Sequence, residues 1–348
     1  MNSPKNILIA PLDWGLGHAT RCVPLIEQLL LRGHQVFTCG NKDSEVIFKE
    51  HFPSLQHITI SGYNVRYSKG NKQGLSMLVQ APKFFKKIYF ERKIAEQLSS
   101  RLKLDYIISD NRFGFRARKT TNIFITHQIH IQGPKLLTPL FLKINLNYIN
   151  KFKHCWIPDY KNNKLSGILT DPPLPKRSSF IGPLSRFKKP AKIKPIFKYK
   201  YLGIVSGPEP QRTLFEKLLI KEFSKENAAC AVIGGNLSKS IYTKRNISYF
   251  PHLKTNNFYT IINESENIIC RPGYSNIMDL SILNKKAFVI PTPGQTEQEY
   301  LAKYHYKKSS VKFCRQAFFT INDKTCFNKF QPFKHTNLLS SALKEVGL

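Results

Sequence analysis

Between residues 267 and 300 the chain sets down a short apolar strand, a glycine turn, a helix, a second short strand, a Pro/Gly loop and another helix. The strands are Asn267 to Arg271 and Ala287 to Pro291. Turn and helix read Cys270-Arg271-Pro272-Gly273-Tyr274-Ser275-Asn276-Ile277-Met278-Asp279, and the loop and last helix run from Pro291 to Tyr300. Strands joined through helices rather than hairpins imply a parallel sheet covered on both faces. A glycine turn entering a helix presents backbone N–H groups beside the positive end of the helix dipole, which suits a diphosphate. Asp279, about one helical turn further on, is placed to accept hydrogen bonds from ribose hydroxyls. Gln298 and Glu299 open the next helix and are placed to do the same for a sugar. The ordered set points to a nucleotide sugar.

The same alternation runs through the rest of the chain and predicts an α/β protein. Ile7 to Pro11 reads as a buried strand, and His18 to Arg32 as a helix with Cys22, Ile26, Leu29 and Leu30 on one face. Gly33 is placed to stop it. Further strands are expected at Gln35 to Cys39, His57 to Ser61, Tyr106 to Ser109, Ile123 to Thr126 and Cys155 to Pro158. A Lys- and Pro-rich stretch, 183–200, reads as a linker between a domain at 1–182 and a second at 201–335. The second series comprises Tyr201 to Ser206, a helix near 210–224, Ala229 to Gly234 and Ile247 to Phe250, ahead of the strands already named. Residues 336–348 carry helical periodicity and are expected to pack back on the first domain. In parallel sheets ligands sit beyond the carboxyl ends of strands, where Asp13 to His18 and Asp110 to Arg112 would lie.

A chain of 348 residues is long for one core, and 41% hydrophobic residues suffice for two. No apolar run approaches the ~20 residues of a membrane span, and Ile7 to Leu12 is too short for a signal-peptide core; a cytoplasmic location is expected. Seven scattered cysteines form no C-x-x-C pair, fitting a reducing compartment. The net charge of +32 favours anionic partners. Without an RNP motif, zinc finger or basic zipper, that charge is the sole support for nucleic-acid binding. Met77 to Leu98 interleaves Phe84, Phe85, Ile88, Tyr89 and Phe90 with lysines and arginines. It reads either as a face for an anionic membrane or as a packed helix with a solvated basic side.

The 270–300 stretch resembles the donor half of the GT-B glycosyltransferases, closest to the glycosyltransferase family 28 group. The loop Asp13-Trp14-Gly15-Leu16-Gly17-His18-Ala19-Thr20-Arg21-Cys22 resembles the Gly-rich first loop of the same superfamily. It is also similar to the UDP-sugar hydrolases of pseudaminic acid synthesis, in which this His is catalytic. Val205 to Glu209 resembles the loop after the first strand of the C-terminal domain. The resemblance implies two Rossmann-like domains facing each other across a cleft. The implied activity is metal-independent, inverting transfer from a uridine diphosphate sugar, with no cofactor beyond that co-substrate. It implies an acceptor that is lipid-linked or a cell-envelope glycan. Gly17, Ser206, Gly207, Arg271, Gly273, Tyr274, Ser275 and Asn276 would hold the diphosphate, Asp279 the ribose, and Gln298 and Glu299 the sugar. Asp stands where the family usually has Glu at the ribose, and Glu299 stands where it has a second Gln. The alternative reaction on the same fold is hydrolysis of a UDP sugar.

His18 titrates near neutrality when unperturbed and is a candidate base for an acceptor hydroxyl or water; Asp13 is the rival. Asp110 and Arg112 are candidates for the acceptor side, where Arg112 would meet a phosphate or acidic group. Arg271 would either neutralise the departing diphosphate or pair with an acid inside the domain. A dehydrogenase is disfavoured, because Gln35 to Gly40 carries no carboxylate for a nicotinamide-adenine ribose. No D-x-D triplet occurs, so no metal clamp is expected.

Overall fold

The computed structural model describes residues 3–60, 81–162, 164–188, 196–235, 240–322, 327–330 and 337–348. Residues 77–80 of the aromatic-basic stretch, 189–195 of the expected linker and the boundary at 335/336 lie outside them, as do the side chains of 81–84. The first β/α series contains β1 (Asn6–Pro11), α1 (Gly17–Leu31), β2 (Gln35–Gly40), α2 (Lys42–His51), β3 (Gln56–Thr59), α3 (Ala81–Leu102), β4 (Tyr106–Asp110), β5 (Thr121–Ile125), α4 (Thr138–Ile149), β6 (His154–Ile157) and β7 (Ser178–Phe180). The strands lie in the order β3-β2-β1-β4-β5-β6-β7, and every pairing is parallel. The chain direction across the sheet reverses between β1 and β4, where Ile7 pairs with Tyr106 and Pro11 with Asp110. Helix α1 stops at Gly33, whose φ of +80 suits a residue without a side chain.

The second series contains β8 (Tyr199–Ile204), α5 (Gln211–Phe223), β9 (Cys230–Ile233), β10 (Tyr242–Lys244), β11 (Ile247–Phe250), α6 (Thr255–Asn263), β12 (Ser265–Cys270), α7 (Tyr274–Leu283), β13 (Lys286–Val289), α8 (Thr296–Lys307), β14 (Lys312–Phe313) and β15 (Asn328–Lys329). Its sheet runs β10-β11-β9-β8-β12-β13-β14. The chain direction reverses between β8 and β12, and only β10 and β15 pair antiparallel. The described residues fall into two compact units that part between Arg186 and Phe187. The last helix, α9 (Leu338–Glu345), belongs to the first. Arg32 donates to the Leu348 carbonyl and to Ser340 Oγ, and Tyr106 Oη donates to the Val346 carbonyl at 2.8 Å.

Each unit has its own core. In the first, Leu8, Ala10, Phe37, Cys39 and Ile107 from the strands meet Ala95 and Leu98 of α3. In the second, Phe215, Leu219 and Phe223 of α5 pack on Tyr201, Val232, Tyr249 and Ile269. Full burial of such side chains contributes roughly 1.5–3 kcal/mol each. Burial pushes the Cys39 and Cys270 thiols up to about 12, so both behave as small apolar groups. Among the described residues no helix is long and apolar enough to cross a membrane.

An ion pair between Arg112 and Glu91 lies wholly inside the first unit. Arg112 is 0% exposed and donates through Nε and Nη2 to Glu91 Oε1 at 2.9 and 2.6 Å, and through Nη1 to the Pro11 carbonyl. Glu91 lies on α3, so the pair ties that helix to the carboxyl end of β1. Breaking such a pair leaves an uncompensated buried charge. Glu91→Ala should therefore cost about 3–5 kcal/mol in urea unfolding, whereas Glu91→Leu combined with Arg112→Met should cost far less. Equal losses in the two variants would mean that packing, not charge, dominates here.

Candidate active site

At the reversal point of the first sheet, the loops following β1, β4 and β5 bring four polar side chains together. Asp110 ends β4 and is 0% exposed. Arg21, in the first turns of α1 and 2% exposed, donates from Nε to Asp110 Oδ2 at 2.7 Å and from Nη2 to Oδ1. His18 lies one turn earlier on the same helix face, and its Nδ1 is 3.0 Å from Asp110 Oδ2 and 2.9 Å from Arg21 Nη2. His127, just beyond β5, receives Arg21 Nη1 on its Nδ1 at 3.2 Å. Helix α1 starts here because the Leu12 amide donates to the Asp110 carbonyl and the Thr20 amide to the Leu16 carbonyl.

Burial alone would push the Asp110 carboxyl up. The Arg21 guanidinium and His18 outweigh it and hold the carboxyl at about 2, so it is an anion throughout the ordinary pH range. His18 moves below its usual value, through burial first and then the Arg21 charge, against the opposing pull of Asp110. Its side chain is 14% exposed. Both of its close polar contacts fall on Nδ1, which leaves Nε2 as the ring nitrogen for chemistry. A neutral imidazole oriented through Nδ1 by a carboxylate is the arrangement of a general base.

Two expectations for this region change. Asp110 and Arg112 were placed on the acceptor side, yet neither faces outward. Asp110 is the acid that holds His18, and Arg112 spends its guanidinium on Glu91 and the Pro11 carbonyl. Asp13 is half-buried in the β1–α1 loop, and Lys87 of α3 feels its charge. The carboxylate in contact with His18 is Asp110. Arg21 and His127 are the members that sequence reading passed over. Arg21 stands three residues after His18, and His127 follows an apolar strand directly.

The carboxyl edge of the second sheet gathers the other set. Gly273 is the N-cap of α7, which has no side-chain cap and no acidic residue in its first turn. Its φ of −64 and ψ of 144 are ordinary for any residue. A Cβ there would meet nothing nearer than Gln298 Nε2 at 3.9 Å, so the fold itself has no need of glycine at 273. Asn276 Nδ2 donates to the Arg271 carbonyl at 2.9 Å and reaches Ser206 Oγ at 3.4 Å, tying the loops after β8 and β12. Gly207, next to Ser206, is exposed. Gln298 Oε1 accepts from the Thr292 amide at 2.8 Å, and Glu299 Oε1 from the Gly294 amide at 3.2 Å, so both brace the Pro/Gly loop. Ser275 and Asp279 share one half-buried face of α7, while Tyr274, Ile277 and Met278 point inward.

Arg271, two residues before Gly273, is 1% exposed. It donates to the Ile290 and Pro291 carbonyls and to Gln316 Oε1, with its guanidinium carbon 4.0 Å from the centre of the Phe215 ring. Burial lowers its pKa to about 9, and no carboxylate among the described residues pairs with it. Arg271 therefore carries a buried positive charge with no carboxylate partner among the described residues, two residues before Gly273.

The whole architecture matches solved structures. The glycotransferase of kitacinnamycin superimposes with TM-score 0.62 and 13% identity, covering 92% of this chain and 88% of that one. The fold is GT-B. MurG of Acinetobacter baumannii matches with TM-score 0.52 and 14% identity over 91% and 87% of the two chains. SsfS6 of Streptomyces sp. SF2575, complexed with thymidine diphosphate, matches with 0.59 and 12% over 89% and 87%. No family model and no curated protein matches the chain.

The Asp110 pairing has a pH signature. Because its folded pKa lies below the unfolded value near 3.9, the pair's stabilisation is complete above that value and is lost as pH falls toward 2. Wild type should exceed Asp110→Asn in stability at pH 6, and the gap should narrow by roughly 1–2 kcal/mol on approaching pH 2 in urea titrations. A gap independent of pH would place the stabilisation elsewhere.

Proposed function

We propose that the chain is a glycosyltransferase that takes a sugar from a nucleoside diphosphate donor, a uridine diphosphate sugar foremost. The observation that carries this is the α7 N-terminus: an uncapped helix start led by a glycine the fold does not need, backed by the buried Arg271 cation. Close approach of an anion accounts for both, since a side chain at 273 would obstruct the backbone N–H groups that a diphosphate uses. The GT-B fold, and a neighbour of that fold complexed with thymidine diphosphate, support the same reading. Asp279 then meets the ribose, and Gln298 and Glu299 meet the sugar, with Gln298 Nε2 already turned toward Gly273.

The base comes from the first unit. His18 takes the acceptor hydroxyl proton on Nε2 as the anomeric carbon loses its diphosphate, and Asp110 holds the imidazole by Nδ1. The departing negative charge is met by helix dipole, backbone N–H groups and Arg271, so no metal is needed. Water in place of the hydroxyl would give hydrolysis with the same residues.

The acceptor side includes an anionic lipid surface. Phe85, Tyr89 and Phe90 of α3 are 49, 58 and 47% exposed, and Leu140 and Ile144 of α4 are 51 and 40%. Phe85 stacks on Tyr148, which joins the two helices. Lys86 and Lys93 lie over the Phe90 and Tyr89 rings. Phe84 lies outside the side chains described. Aromatic groups flanked by lysines fit the boundary between anionic headgroups and acyl chains. The protein should co-sediment with anionic vesicles at low salt, release as salt rises, and lose most binding in Phe85→Ser with Tyr89→Ser. Equal recovery with neutral vesicles would remove the electrostatic part of this assignment.

The donor assignment is tested by melting. Uridine diphosphate at ~100 times its dissociation constant should stabilise by about 2.7 kcal/mol, equally in excess EDTA. Uridine should stabilise far less, and Arg271→Met should weaken the diphosphate while sparing the nucleoside. Asp279→Ala should weaken either by roughly 1.5–3 kcal/mol. His18→Ala should keep nucleotide binding and lower turnover by ~10²–10⁴. No response to any nucleotide would end the donor reading, full turnover in His18→Ala would end the base assignment, and free sugar released without an acceptor would favour hydrolysis.

A further inference from the structure

Arg21 has a role that the donor and base assignments do not use. Its guanidinium reaches three groups at once: both oxygens of Asp110, Nδ1 of His18 and Nδ1 of His127. A guanidinium only donates, so His127 Nδ1 must accept and His127 carries its proton on Nε2. His18 Nδ1 is different, because it lies between a donor and an acceptor at nearly the same distance, 2.9 Å from Arg21 Nη2 and 3.0 Å from Asp110 Oδ2. One ring nitrogen cannot satisfy both. Accepting from Arg21 would leave a proton on Nε2 and turn the outward nitrogen into an acid. Donating to Asp110 leaves Nε2 bare and makes it a base. An ionised carboxylate is the stronger partner, and Arg21 has its Nε and one Nη2 hydrogen on Asp110 already.

We propose that Arg21 is the positioning residue that sets the tautomer and charge of His18, so that His18, Asp110 and Arg21 form an electrically balanced triad rather than a carboxylate–imidazole pair. The fork on Asp110 fixes the carboxylate so that Oδ2 is turned toward His18 Nδ1–H. It also cancels the carboxylate charge. Asp110 pulls a proton onto the imidazole; burial first, and the Arg21 charge after it, act the other way and move His18 below its usual value. The groups acting on His18 are Arg21 from α1, Asp110 from β4 and His127 from the segment after β5; Cys22, a buried thiol kept protonated by burial and Asp110, meets Asp110 rather than the imidazole. In a reaction cycle the proton leaves the attacking oxygen for Nε2. The resulting imidazolium is then held less tightly than in a simple pair, so it returns the proton readily to solvent.

This inference rests on the reading of His18 as base, but its test does not need turnover. The full-length protein, labelled with ¹⁵N in histidine and without ligand, is titrated by NMR, with His18→Gln assigning the resonance. In wild type His18 should show the Nδ1–H tautomer and a midpoint below that of free histidine. In Arg21→Gln the midpoint should move upward, with about tenfold fewer protons sufficing for half-titration. Arg21→Lys should keep the low midpoint while losing the hydrogen-bonded Nδ1–H signal, and Arg21→Gln with Asp110→Asn should return the midpoint to the wild-type side. The acid limb of turnover should follow the same shifts. An Nε2–H tautomer in wild type, or an unchanged midpoint in Arg21→Gln, would overturn the proposal. Should Arg21→Gln fail to fold, the wild-type tautomer and Arg21→Lys still decide. Full turnover in His18→Ala would sink the base reading alone and leave the titration result standing.

Discussion

A carboxylate with no contact to water is the fixed point of the first unit. Asp110 is tolerable at the end of β4 because Arg21 meets it with two N–H groups, with His18 Nδ1 3.0 Å from Oδ2. Those contacts fix the first turn of α1 against the sheet at the place where strand order reverses, the site at which open α/β sheets bind ligands. Arg112 repeats the device two residues on, against Glu91 of α3. Helices on either side of β1 are thereby tied to its carboxyl end by buried charge, and His18 is held by a framework rather than a mobile loop.

The second unit manages charge in the opposite way. Arg271 is as deeply buried as Arg21 and Arg112, yet carbonyl oxygens and an amide surround it in place of a carboxylate. An isolated cation in such a setting is costly, and its lowered pKa expresses that cost. A group that remains uncompensated in the free protein is compensated most naturally by an anionic ligand. The uncapped α7 start and the unneeded glycine at 273 follow it by two or three residues in the chain. One unit has closed its electrostatics internally, and the other has left them open.

Much of the framework was readable because buried parallel strands appear as short apolar runs. Ile7 to Pro11, Gln35 to Cys39 and Ile247 to Phe250 lie at or within a residue or two of observed strands. Strands β7, β10 and β15 were invisible for the converse reason: Ser178–Phe180, Tyr242–Lys244 and Asn328–Lys329 are short and polar, and gain strand form only from a neighbour's edge. The candidate donor residues from Arg271 to Glu299 lie within thirty or so positions of one another, on one turn and two helices, which is why a single sequence pattern picks them out together. The partner of His18 was not, since Asp110 is 92 positions away and meets it only through the pairing of β1 with β4. Asp110 and Arg112 were read together as neighbours in sequence. Asn111 between them adopts a φ of +56, and the two side chains take different partners.

The three interior arginines also bear on the meaning of the basic composition. A net charge of +32 invites a nucleic-acid reading, but recognition of a phosphate backbone needs exposed cations along a groove or stripe. Arg21, Arg112 and Arg271 are spent inside the fold, on the Asp110 carboxylate, on Glu91 of α3 and on the Ile290 and Pro291 carbonyls. What distinguishes these residues from the lysines outside is desolvation, which multiplies the worth of each charge at short range. The surface excess acts through a screened field, whereas the interior arginines act at hydrogen-bond distance on named atoms.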